Sequence, residues 1–202
     1  MKNPSKSATP SPDRARELRT ELVRKIASFI GPREKLISGV PGLLLSRRTV
    51  PTVPASATHE PSLAVAAQGR KRIHLGRTTF IFDQSRFLLT SLDLPVISQV
   101  IEASKEVPYL GFLLKLEMPV VRELLSREEI QSAEPRSDGP AMATGETTAD
   151  LLDACCRLVD LLGTPQHIPF LSELIQREII YRILRGPEGA RLRAIATLGD
   201  QS

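Results

Sequence analysis

Only two cysteines occur in the chain, and they are adjacent, Cys155 and Cys156. Neighbours in what reads as a helix cannot staple separate parts of a fold, so a disulfide framework is excluded and a reduced, cytoplasmic protein is expected. Histidine is nearly as scarce. His59, His74 and His167 stand far apart, no His-x-His pair occurs, and no converging metal set can be assembled from them. An isolated histidine without a triad partner is ordinarily structural, so neither a metal, a cofactor nor a catalytic residue is expected. No apolar run approaches the ~20 residues of a membrane span, and the N-terminus has charge but no apolar secretory segment. A glycine-rich phosphate loop is also missing, because Gly139 and Gly145 lie in a low-complexity stretch with no strand before it.

Charge of one sign is lacking where it would matter most. The chain of 202 residues carries a net +4, yet residues 1–48 hold eleven basic and four acidic side chains, whereas residues 49–202 hold sixteen basic and nineteen acidic. The body is therefore mildly acidic. A protein gripping a nucleic-acid backbone needs several cations on one face, since phosphate neutralisation and counterion release supply most of its affinity. This body offers no such surplus.

With 41% hydrophobic residues there is enough material for one full core and an appended helical layer. Residues 1–12, rich in proline and serine, read as a disordered tail. From 13 to 31, Leu18, Leu22, Ile26 and Phe29 recur at helical spacing and Gly31-Pro32 ends the run, which gives an amphipathic helix. Residues 35–118 read as short strands between turn signals: Leu43 to Leu45, Ser62 to Gln68, Arg70 to Leu75, Thr78 to Phe82, Phe87 to Leu92, Val96 to Ala103 and Tyr109 to Glu117. In the last of these, Leu110, Phe112, Leu114 and Leu116 share one face and are expected to point into a barrel or sandwich interior. Many short, closely spaced strands favour such a fold over a parallel α/β sheet.

After Met118 the periodicity turns helical. The region 119–198 reads as a helix from Pro119 to about Ile130, a flexible loop over 132–146, and two helices joined by a short connection, hence antiparallel. The first of the pair has Thr147 or Thr148 as N-cap and the apolar stripe Leu151, Leu152, Cys155, Leu158, Val159 and Leu162. The second, Pro169 to Arg185, carries Leu171, Leu174, Ile175, Ile179, Ile183 and Leu184. That stripe is wider than the ~100° needed to cover one core. One face is therefore expected to meet a second subunit, with Leu151, Cys155, Leu158, Leu162, Ile175 and Ile179 as the dimer residues. The alternative is that both helices simply cap the open edge of the strands.

Chemistry-bearing residues are few. Cys155 and Cys156 point about 100° apart on a helix and read as buried apolar filler. Arg70, Lys71 and Arg72 with Arg77 form a basic cluster at a hairpin, which could bind phosphate or an acidic ligand or could be a solvated edge that blocks strand pairing. His59 beside Glu60, at a strand entry, is the least ordinary of the histidines.

Several runs, in this order, resemble the N-terminal domain of AraC-type bacterial transcription regulators. They are Pro41-Gly42-Leu43, Glu60-Pro61-Ser62-Leu63, Gln68-Gly69-Arg70-Lys71-Arg72, Leu75-Gly76, Leu92-Asp93-Leu94-Pro95-Val96, Glu102-Ala103-Ser104 and Pro108-Tyr109-Leu110. The likeness continues in Leu174 to Arg182 and in Leu184-Arg185-Gly186-Pro187, and it covers roughly Lys35 to Leu198. A departure lies at His59, where members of the subgroup whose sensing domain precedes two helix-turn-helix units often carry an aromatic.

The resemblance implies an α+β protein: a cupin-like β-barrel, as a double-stranded β-helix or sandwich, with an N-terminal helix and a C-terminal antiparallel helix pair. It implies a small-molecule effector or regulatory protein as partner, helix-mediated homodimerisation, and control of DNA-binding helices. Two helix-turn-helix units need about a hundred further residues, so this chain is expected to reach DNA only through a C-terminal domain it does not contain. Candidate ligand-binding residues are His59, Glu60, Arg72, His74 and Phe112. The competing functions are a metal-free cupin-type enzyme and a modulator that pairs with a full-length regulator, and no convergent acid/base set supports the enzyme.

Overall fold

The structure, a computed structural model, describes residues 12–127, 142–190 and 192. The expected tail, apart from Pro12, and most of the expected loop at 132–146 lie outside the described residues. The elements run α1 (Pro12–Ile30), β1 (Lys35–Ile37), β2 (Leu43–Arg48), β3 (Ala55–His59), β4 (Ser62–Gln68), β5 (Arg70–Leu75), β6 (Thr78–Phe82), β7 (Arg86–Thr90), β8 (Leu94–Glu102), β9 (Tyr109–Lys115), α2 (Met118–Leu125), β10 (Met142–Glu146), α3 (Ala149–Asp160) and α4 (Ile168–Arg185). Two short 3-10 turns join α3 to α4.

The strands remain in two separate antiparallel sheets and do not close into one barrel. A six-stranded sheet has the order β1-β2-β9-β4-β7-β10, and a four-stranded sheet has the order β3-β8-β5-β6. One core cluster, which includes Ala66, Leu88 and Tyr109 of the large sheet and Ile73, Phe82 and Val100 of the small one, lies between them. The other face of the large sheet packs against α1, α3 and α4 through Leu45, Leu63, Val65, Leu89, Phe112 and Leu114. Both faces of the large sheet are thus covered, which is why β4 reads Ser-Leu-Ala-Val-Ala-Ala-Gln without polar alternation.

This double burial corrects the expected direction of β9. Leu110, Phe112 and Leu114 belong to the helix-facing cluster, and Phe112, 1% exposed, is buried there and not between the sheets. Period two assigns residues to a common face but cannot say which of two buried faces it is.

The helical layer explains the wide stripe on α3. Leu18, Leu22, Ile26 and Ile30 of α1 are buried at four-residue spacing against it, and α4 covers it from the other side. The pair is antiparallel: Asp150, at the start of α3, meets Arg182 near the end of α4 at 2.6 Å, and Arg157 meets Glu178 at 2.7 Å. Thr148 caps α3, its hydroxyl accepting from the Leu151 amide at 3.3 Å. Leu151, Cys155, Leu158, Ile175 and Ile179, expected at a dimer contact, are all buried inside this one chain, and Leu162 is half-buried. Their surplus width is consumed by α1, α4 and the sheet, and the helices cover a face of the large sheet and do not cap an open edge of the strands.

Three strands had no sequence signal. β1 is three residues long and β3 has a polar, exposed edge composition, Ala-Ser-Ala-Thr-His. β10 falls within the stretch expected to be loop, yet it pairs with β7 residue for residue from Met142 with Thr90 to Glu146 with Arg86. Cross-strand pairing here outweighs a poor local propensity. α2 ends at Leu125, and Ile130, its expected end, lies outside the described residues.

Candidate functional site

Small side chains on the inner face of the large sheet create the site. β2 pairs with β9 so that Leu44 is opposite Leu113, Ser46 opposite Gly111 and Arg48 opposite Tyr109, and these six face the small sheet. A Cβ on Gly111 would lie 2.5 Å from Ser46 Oγ and 2.8 Å from the Tyr109 hydroxyl, so only glycine lets the tyrosine fold back over the strand. Together with Ala64 this leaves a cavity of about 190 Å³, lined also by Glu34, Lys35, Lys71 and the strand around Phe112.

The polar groups around this space are mostly cationic. Lys71, on the inner face of β5, has neither a carboxylate nor a hydrogen-bond partner among the described residues. Burial of its ammonium, with Arg48 nearby, pushes its pKa down to about 8. Arg48 is held in place by Nη1, which donates to the carbonyls of Glu34 and Arg47 at 2.9 and 2.7 Å, and it pairs with the Glu34 carboxylate at 3.4 Å. Tyr109, buried, hydrogen-bonds Ser46, and desolvation raises its hydroxyl well above the ordinary range. His59 lies on the inner face of β3, its Nδ1 buried without a hydrogen-bond partner; burial and the charge of Lys71 lower its pKa to about 4. It is therefore neutral at pH 7.

Of the five expected ligand residues, only His59 faces the space between the sheets. Glu60 is exposed and pairs with Lys115 at 3.0 Å. Arg72 and His74 alternate with the buried Ile73 and so lie on the outer face of the small sheet, where His74 Nδ1 meets Thr79 Oγ1 at 2.9 Å. Phe112 is in the helix-facing core. The basic cluster divides in the same way: Arg70 pairs with Asp83 and Glu102 at the turn, while Lys71 alone turns inward. Lys71, Arg48, Ser46 and Tyr109 were not singled out as ligand residues. The available signal was a lysine at an inward position of a strand whose neighbours Ile73 and Leu75 are apolar.

Cys155 and Cys156 are buried free thiols, and desolvation raises both, Cys156 to about 12, so neither is a thiolate at neutral pH. Among the described residues, no group of three or more His, Cys, Asp or Glu could hold a metal ion.

Residues 39–191 match the family described as AraC-type transcriptional regulator N-terminus. The chain belongs to that family. No individual curated sequence gives a match. Among solved structures, this AraC-type domain is similar to ToxT from Vibrio cholerae O395, bound to (E)-4-(8-methylnaphthalen-1-yl)but-3-enoic acid, at 7% identity and a TM-score of 0.48 over 75% of this chain and 59% of that one. The AraC-like transcriptional activator CuxR gives 10% identity and 0.40 over 81% and 63%. Unsaturated fatty acid-bound ToxT from Vibrio cholerae strain SCE256 gives 11% and 0.43 over 71% and 54%. The AraC-type domain thus spans less than two thirds of the length of these structures.

Proposed function

We propose that this chain is the effector-sensing and dimerising part of an AraC-type transcription regulator, acting in the cytoplasm on DNA-binding units beyond the residues present here. A small molecule enters between the two sheets and changes how the helical layer presents those units. The supporting observation is the cavity of about 190 Å³ lined by a half-buried lysine with no carboxylate or hydrogen-bond partner among the described residues. Side chains that fold for stability alone fill such a space or pair such a charge. A ligand that occupies it in the native state raises apparent stability by mass action. A thermal-shift screen of the full chain with metabolites tests the reading: at least one hit must be lost when Leu44→Trp narrows the cavity with the fold kept by circular dichroism, and hits that survive this variant would reject it.

The dimer contact is proposed on the outer face of α4 and not on the buried positions. Phe170, Leu174 and Tyr181 are 81, 59 and 41% exposed, and their spacing of four and seven residues aligns them along the helix.

A further inference from the structure

The charges around the inter-sheet cavity are unbalanced in a countable way. Arg48 already has Glu34 as counterion, at 3.4 Å, and that carboxylate is itself largely exposed. Lys35 stands at the mouth, His59 faces in from β3 and Tyr109 from β9, its hydroxyl committed to Ser46. Lys71 remains with no anion among the described residues. Two cations are therefore without a carboxylate partner among the described residues, Lys35 exposed at the mouth and Lys71 deeper, next to walls of Leu44, Ala64 and Leu113.

The geometry points to a small organic carboxylate as the ligand of this cavity, one oxygen held by Lys71, the other near Arg48, and the carbon skeleton against Leu44, Ala64 and Leu113. This rests on the reading of the cavity as the effector site. A carboxylate meets Lys71 with its oxygens and sets its carbon skeleton against the apolar walls, whereas a phosphate would turn its remaining oxygens toward those walls without partners. Arg48 suits the second oxygen because two carbonyls fix its Nη1 and hold the guanidinium in place. Size narrows the class further. A cavity of ~150 Å³ holds benzene, so about 190 Å³ admits a ring with its carboxylate.

Binding is then linked to the proton on Lys71. The charges facing it are Arg48, Lys35 and, at the mouth, Glu34, with His59 and Tyr109 neutral. An anion binds the ammonium form, so affinity is fullest below pH 8 and falls as the pH rises through the free-state value of about 8.

The test uses the full chain with benzoate, benzamide and inorganic phosphate, followed by amide NMR and thermal shift. Benzoate is expected to bind saturably, to move resonances at Ser46, Lys71 and Gly111, and to bind about tenfold or more tightly than benzamide. Its affinity is expected to drop between pH 7 and 9.5. Lys71→Met, which removes the half-buried charge and keeps the stem, is expected to stay folded by circular dichroism and to lose both the preference and the pH dependence. Equal binding of benzoate and benzamide in the cavity overturns the carboxylate and leaves the cavity reading intact. Phosphate binding as well as benzoate overturns the organic part. Failure of all three probes and of benzene to move any of those resonances at millimolar concentration overturns the cavity reading itself.

Discussion

Phe112 packs its ring among Leu45, Leu63 and Leu114 in the helix-facing core, so it contributes to stability and not to recognition. Phe112→Ala is expected to cost about 3–5 kcal/mol in urea unfolding, through lost transfer energy and the cavity left behind. A loss below about 1 kcal/mol would contradict its placement. His59 makes a pH prediction. Its folded value is about 4 against an ordinary 6.5, so the unfolded chain takes up a proton that the folded chain refuses. Its contribution is therefore fully present above pH 6.5 and lost as the pH falls toward 4. Urea unfolding at pH 7 and pH 5 should show a smaller drop for His59→Gln than for the parent, and equal drops would refute the assignment. His59 was legible in the sequence as an odd residue at a strand entry. Lys71 was not, because in a run of three cations only the pleat decides which one turns inward, and the face of β5 is set by a partner sheet far away in sequence.

At the scale of elements, the long apolar runs were legible: β4, β5, β6, β8 and β9 begin or end within about two residues of the strands expected from turn signals. β10 and β3 were not, since Met-Ala-Thr-Gly-Glu and Ala-Ser-Ala-Thr-His gain their strand character only from neighbours. The width of the α3 stripe was read correctly but given the wrong cause. Leu158 has 0% exposure, between α1, α4 and the sheet. Leu158→Glu places an unpaired charge there and is expected to destabilise the chain by about 4 kcal/mol or more, enough to unfold a marginal domain. Circular dichroism and melting temperature check this. A folded, monomeric Leu158→Glu protein would restore the dimer role that its burial denies. The cap of α3 is a milder test at the same scale: Thr148→Ala removes the acceptor for the Leu151 amide and should cost about 1 kcal/mol.

For the whole molecule, many cations are tied to its own acids: Lys25 to Asp160, Arg177 to Glu123, Arg182 to Asp150 and Arg157 to Glu178 link helices to one another. These pairs tie the helical layer together, and that layer also exposes apolar surface. The outer face of α4 offers it, from Phe170 through Leu174 to Tyr181. At ~1.5 Å per residue that stripe is about 16 Å long. Two copies related by a two-fold axis would bury the same stripe on each, and each Å² of apolar surface removed from water contributes about 25 cal/mol. Stable interfaces bury about 1,200–2,000 Å² in total, more than one short stripe supplies, so the expected dimer is a weak one with a Kd in the micromolar range. Sedimentation equilibrium of the full chain should show a reversible monomer–dimer exchange over ~5–200 μM. Leu174→Glu with Phe170→Glu should shift it to monomer while leaving circular dichroism and melting temperature unchanged, because neither side chain is part of the core. A parent chain that stays monomeric across that range excludes the contact. A double variant that still dimerises places it on a different surface.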